Sequence, residues 1–196
     1  MVPLYLNQPI VVAQLEPGHM LVMTVKISSP VSRKHRRGST MLSLLNHFCL
    51  RHLASIMAID VLSYSILHNH FHVVIQIRPD VVSAWRPREI ALRYLMLCPS
   101  KRLSRPRGAD PCEPVSEAEI DLLLGDKEEM KLASKRLSCP SFFMGKVKYP
   151  VSCRANAEDG ASGTFWEKRF DSRRMLTRHS VLQACVYVDL NPVRAG

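Results

Sequence analysis

Apolar and polar residues recur along this chain with two periods, and the periods mark out its elements. From Leu21 to Ser28, Leu21, Met23, Val25 and Ile27 alternate with Val22, Thr24, Lys26 and Ser28, the period of two that a half-buried strand requires. Ser39 then stands where a helix N-cap belongs. Met41, Leu44, Leu45, Phe48, His52 and Ile56 follow at helical spacing, with His52 the polar exception, predicting a helix that runs to Met57. Ile59 to Leu67 reads as a second strand and His68-Asn69 as a short turn. His70 to Ile77 returns as a third strand, rich in the β-branched residues Val73, Val74, Ile75 and Ile77. The last two strands make an antiparallel hairpin.

Arg78-Pro79-Asp80 ends that strand. Ile90, Tyr94 and Leu97 mark a helix from about Pro87 to Leu97, with Arg88 and Arg93 on its other faces. Ser116 and Glu119 have the spacing of a capping box, and the helix they open is expected to break at Gly125-Asp126 before continuing towards Leu137. Phe142, Phe143, Met144 and Val147 predict a short helix that Pro150 should stop or kink, followed by the turn-rich loop RANAEDGASG. Thr177 can cap a final helix that ends at Leu190, before Asn191-Pro192. Its apolar stripe is Val181, Leu182, Cys185 and Val188, while Gln183, Tyr187 and Asn191 share another face.

This order of elements predicts an α+β fold, an antiparallel sheet of four or five strands with helices on its faces. Residues 1–196 would form one domain, with a core of approximately 19–80 and 150–196 and a helical arm inserted over 81–149. Hydrophobic residues make up 46% of the chain, enough to build that core. The stretch Met1 to Gly18, with prolines at 3, 9 and 17, reads as an irregular lead-in. Six cysteines (Cys49, Cys98, Cys112, Cys139, Cys153, Cys185) include no C-x-x-C pair, which argues against a structural zinc site or a disulfide scaffold and for reduced thiols in a cytosol.

Charge changes the picture. The formal net charge is +10, so a polyanion is the first partner to consider and an anionic membrane surface the second. No apolar run is long enough to span a bilayer, and MVPLYLNQPIVV has no charged n-region, so a soluble, cytoplasmic protein without a membrane partner is expected. The cations gather in three places. Arg33, Lys34, Arg36 and Arg37 form a loop closed by Gly38; PSKRLSRPRGADPCEP forms a second basic loop. In FWEKRFDSRR, Phe165, Trp166 and Phe170 lie among Lys168, Arg169, Arg173 and Arg174. Such aromatics can stack bases while the cations hold phosphates, or can pack at the core edge beneath snorkelling arginines.

The most specific chemistry lies in His70-Phe71-His72. Residues two apart on a strand share a face, so both imidazoles project together and Phe71 goes to the other side. Two neutral imidazoles side by side make half of a divalent-metal site; two strand histidines without a task are the competing reading.

The segments LHNHFHVVI, RANAEDGASGTFWEKRFDS and YVDLNPVRAG together resemble the IS200-like single-tyrosine HUH transposases, most closely their REP-associated branch. The resemblance runs from about Ile56 to Trp85 and from Arg154 to Gly196. It implies a ferredoxin-like antiparallel sheet whose histidine–hydrophobe–histidine strand binds Mg²⁺ or Mn²⁺ through His70 and His72. It further implies a helix carrying the nucleophile, Tyr187, four residues before a third metal ligand, Asn191. The implied substrate is single-stranded hairpin DNA in a prokaryotic, nucleoid-associated setting, cut and rejoined through a 5′-phosphotyrosine link. The tyrosine helix would act within its own subunit or in that of a second copy, which brings in a homodimer. A decayed or truncated copy that binds DNA without turnover is the rival expectation, and a replication-initiator or relaxase nuclease a third.

Overall fold

The computed structural model describes residues 19–26, 49–67, 70–98, 114–158, 160–167 and 169–195; of residues 192–195 it describes the backbone alone. The proline-containing lead-in, the helix start at Ser39, the turn at His68-Asn69, Lys168 and the two basic loops, with Arg33, Lys34, Arg36 and Arg37, lie outside the described residues.

Four strands form one antiparallel sheet in the order β2-β3-β1-β4: β1 Met20–Lys26, β2 Ile59–Ile66, β3 His70–Ile77 and β4 Asp171–Met175. With a helix after β1 and helices between β3 and β4, this is the ferredoxin-like split βαβ arrangement. Seven helices among the described residues surround it. They are α1 Arg51–Ile56, α2 Pro79–Ala84, α3 Pro87–Leu97, α4 Glu117–Gly125, α5 Lys127–Leu137, α6 Pro140–Glu158 and α7 Arg178–Ala195. Within the described residues, no helix is long and apolar enough to cross a membrane.

The period of two in β1 and β3 sorts the core into two clusters, one on each face of the sheet. Met23, Val25, Phe71, Val73 and Ile75 face the larger one, with Leu53 and Ile56 of α1, Tyr94 of α3, Leu137 of α5 and Phe143 of α6. The helices between residues 79 and 158 thus share one continuous core with the sheet. Met20 and Val74 face the smaller cluster, built with Val181, Cys185 and Val188 of α7. Strand pairing fixes this division: Thr24 lies opposite His72, and Val25 opposite Phe71.

Most local signals act as expected. Ser116 and Glu119 form the reciprocal capping box, and Asp126 caps α5 at the break after Gly125. Thr177 accepts from the Ser180 N–H at 3.1 Å and so caps α7. Tyr94 is fully buried and donates its hydroxyl to Glu129 at 3.0 Å. Arg93 is not a surface charge: it donates to the Ser55 and Ile56 carbonyls, which closes the C-terminal end of α1, and lies 4.2 Å over the Trp85 ring.

Three expectations are corrected. Pro150 neither ends nor divides α6, which runs to Glu158 and makes the first half of RANAEDGASG helical. The buried stripe Phe143, Met144, Val147 and Val151 continues across the proline, and this packing outweighs one lost backbone hydrogen bond. Helix α7 likewise passes through Asn191-Pro192 to Ala195. Leu182 is 37% exposed, and the stripe facing the sheet is the narrower Val181, Cys185 and Val188. His52, the polar exception of the predicted stripe, is exposed, and α1 buries Leu53 and Ile56. Arg173 and Arg174, to which the sequence assigned no element, lie on β4, whose exposed DSRRM sequence carries no apolar alternation.

Candidate functional site

One row of side chains crosses the sheet beside α7. Reading the register from edge to edge, Asp171 on β4 lies opposite Thr24 on β1, Thr24 opposite His72 on β3, and His72 opposite Ser65 on β2. Side chains directly opposite one another in an antiparallel sheet share a face. His70 stands two residues from His72 on that face, and their ring centroids are 4.8 Å apart in an edge-to-face arrangement. Phe71, between them, is fully buried on the other face with its ring 5.8 Å from Trp166.

Helix α7 closes the site from above. Val181, Cys185 and Val188 bury against Met20 and Val74, which turns Tyr187 towards the histidines: its ring centroid is 5.9 Å from that of His72. Asn191 follows one helical turn later, half-buried. Between them Asp189 accepts a 2.6 Å hydrogen bond from the Ser63 hydroxyl of β2, tying this part of α7 to the sheet. Tyr187 is 48% exposed, so the phenol is reachable from solvent. The site therefore brings His70, His72 and Tyr187 together, and Asn191 stands one turn further along the same helix.

Its electrostatics favour uncharged groups. Burial, and secondarily the neighbouring His70, pushes the His72 imidazole down to about 4, so the ring is neutral near neutral pH and keeps a free lone pair. Burial and Asp189 push the Cys185 thiol up to about 11, which leaves it protonated and unsuited to compete as a nucleophile.

Three buried side-chain atoms among the described residues have no hydrogen-bond partner: His72 Nε2, Ser65 Oγ and Asn191 Nδ2. The first two are neighbours in the row, and the third lies on the helix that covers it. Buried polar atoms are rarely left unmet, so each of the three calls for a partner such as an ordered water or an ion. The donors suit a divalent cation. Imidazole nitrogen and amide oxygen together fit Mn²⁺ better than Mg²⁺, which prefers oxygen throughout. An amide nitrogen is no ligand, so Asn191 fits only with its amide turned to put Oδ1 where Nδ2 lies. Among the described residues, no three His, Cys, Asp or Glu side chains gather as a metal site, so a donor beyond the two imidazoles would have to be of another residue type, and the Asn191 amide is the candidate on α7.

The other candidate residues are dispersed. Register puts exposed Arg173 opposite Val22, on the face of the histidines, and Arg174 opposite Leu21, on the other face. Trp166 donates its indole N–H to the Lys148 carbonyl at 3.0 Å, stacks edge-on against Phe165 and is half-buried. With exposed Arg169 it lines a shallow cleft of about 240 Å³ that also includes Met144, Lys148 and Tyr149, on the Phe71 side of the sheet. Thr24, Ser63, Ser65 and Asp189 were not apparent from the sequence as site residues. Only the strand register and the placement of α7 bring them in, although the alternation around Met23 already puts Thr24 on the face away from the larger core.

Compared with known proteins, the chain matches no family model, no curated protein and no solved structure.

Proposed function

We propose that this protein is a metal-dependent enzyme that nicks and rejoins single-stranded DNA, a transposase of the single-tyrosine HUH kind. One observation carries the reading. Two strand histidines and a tyrosine more than a hundred residues away in sequence meet, and three buried polar atoms on these strands and on the tyrosine helix lack partners.

His70, His72 and, with its amide turned, Asn191 would hold Mn²⁺ or Mg²⁺, which when bound polarises a phosphodiester and offsets charge developing on its oxygens. Tyr187 supplies the nucleophile. Its phenolic oxygen forms a bond to phosphorus as the bond to the 3′-oxygen breaks, and that oxygen leaves as a 3′-hydroxyl carrying the proton. The product is a 5′-phosphotyrosine link, and a 3′-hydroxyl attacking the same phosphorus reverses the step without a nucleotide cofactor. Thr24 and the Ser63–Asp189 bond hold the ring and the helix in register. The net charge of +10, and Arg173 on the histidine face, supply attraction for the phosphates.

The test is incubation with a labelled single-stranded hairpin and Mn²⁺, followed by denaturing electrophoresis. A covalent protein–DNA adduct is expected from the wild-type chain and none from Tyr187→Phe. Retention of DNA with no adduct, across hairpins and with either ion, would leave a non-catalytic DNA-binding protein.

A further inference from the structure

We infer that Thr24 is the positioning residue of the site, holding His72 in the tautomer whose Nε2 is bare. The inference rests on the reading of His72 as a ligand. His72 is flanked across the sheet by two hydroxyls, Thr24 on β1 and Ser65 on β2. Only one engages the ring: Thr24 Oγ1 lies 2.9 Å from His72 Nδ1, whereas Ser65 Oγ, 3% exposed as a residue, has no partner. The ring is therefore turned with Nδ1 towards β1, and Nε2 is buried without a partner.

The direction of this hydrogen bond decides what Nε2 can do. If Nδ1–H donates to Thr24 Oγ1, Nε2 carries a lone pair, and the Thr24 hydroxyl, on a half-buried residue, can pass its own proton to water. If the hydroxyl donated to Nδ1 instead, the imidazole proton would sit on Nε2, a buried donor with no acceptor. An orphaned N–H is the rarer and costlier state. The first arrangement is also the one in which a second residue orients a metal-binding imidazole. Sequence alone hides this role, because Thr24 stands 48 residues before His72 and the strand register alone brings the two together.

The experiment reads the tautomer directly, with no metal and no DNA. In protein labelled with ¹⁵N-histidine, the nitrogen shifts of His72 near neutral pH should report Nδ1–H in the wild type and in Thr24→Ser, which keeps the hydroxyl. Thr24→Val keeps the strand-favouring shape and removes the oxygen, so the ring should move towards Nε2–H, the tautomer free histidine favours. Thr24→Ala serves as a second variant should the valine disturb folding, as checked by circular dichroism. Titration with Mn²⁺ should then show affinity roughly ten- to a hundred-fold weaker in Thr24→Val, the usual cost of losing such an orienting group. A wild type with its proton on Nε2, or a Thr24→Val chain that keeps Nδ1–H, overturns the assignment. Should the tautomer move as expected while no variant binds Mn²⁺, the positioning by Thr24 stands and the metal reading falls.

Discussion

His72 should make this protein sensitive to acid, and the size of its contribution follows from its surroundings. The ring is 7% exposed as a residue, next to His70, and its imidazole is held down at about 4 against an ordinary 6.5. A depressed folded-state value means that, between these two values, the unfolded chain takes up a proton that the native state refuses. Stability is therefore full above about pH 6.5, falls as the pH drops towards 4, and levels off below it. At about 1.36 kcal/mol per unit, the loss relative to neutral pH is about 2 kcal/mol at about pH 5 and about 3 kcal/mol at about pH 4. Carboxylates contribute acid sensitivity of their own, Asp80 beside Arg78 among them, so the informative quantity is a difference. His72→Asn removes the titration while offering an amide N–H where Nδ1 meets Thr24. Urea unfolding of both chains, with metal chelated, would measure stability across this pH range. The wild type should lose about 2 kcal/mol more than the variant by about pH 5. Equal losses in the two would refute the claim that His72 is buried neutral.

Three further outcomes follow from the geometry. Phe71→Ala should cost about 3–5 kcal/mol in urea unfolding, because the ring is wholly buried against Trp166 and the core of the larger face; a loss below about 1 kcal/mol would mean that this face is not the main core. Tyr187→Phe should leave the thermal midpoint almost unchanged, the ring being 48% exposed, while abolishing any covalent DNA adduct on a denaturing gel. Affinity for single-stranded DNA should fall steeply with salt, with a log–log slope of about −0.7 per phosphate contacted, and Arg173→Gln should make that slope shallower by about one contact; an unchanged slope would place the DNA away from β4.

Much of the fold was legible because β1 alternates and β3 is a β-branched run buried on both faces. β4 was hidden because it carries neither signal. It is an edge strand with little buried beneath it, so DSRRM carries charge where an inner strand would carry valine. The two prolines misled in a related way. Local preference ends a helix at Pro150 or before Pro192, yet α6 has a stripe of buried side chains on both sides of its proline. Propensity is worth about 3 kcal/mol there and packing can exceed it. At the site, the histidine pair and the face shared by Tyr187 and Asn191 were readable from spacing alone. Their meeting was not, because it depends on α7 lying across β2 and β3, which no local pattern encodes.

The division of labour between the two faces of β3 explains how such a site can persist. An orphaned buried polar atom costs about 1–3 kcal/mol, and three of them approach the whole stability of an ordinary domain. The smaller cluster under α7 holds only five buried residues, Met20, Val74, Val181, Cys185 and Val188, so most of the burial that secures the strand lies on the opposite face. Phe71, Val73 and Ile75 alternate with His70, His72 and Val74 on one strand, so the residues that secure the strand are interleaved with those that expose it to chemistry. Each histidine is held by backbone whose other side is anchored in the larger core, and its position does not depend on the site being filled. A rigid strand carrying the imidazoles, under a helix held by a narrow apolar stripe and one hydroxyl–carboxylate bond, keeps the donors fixed while leaving polar valences open for a ligand.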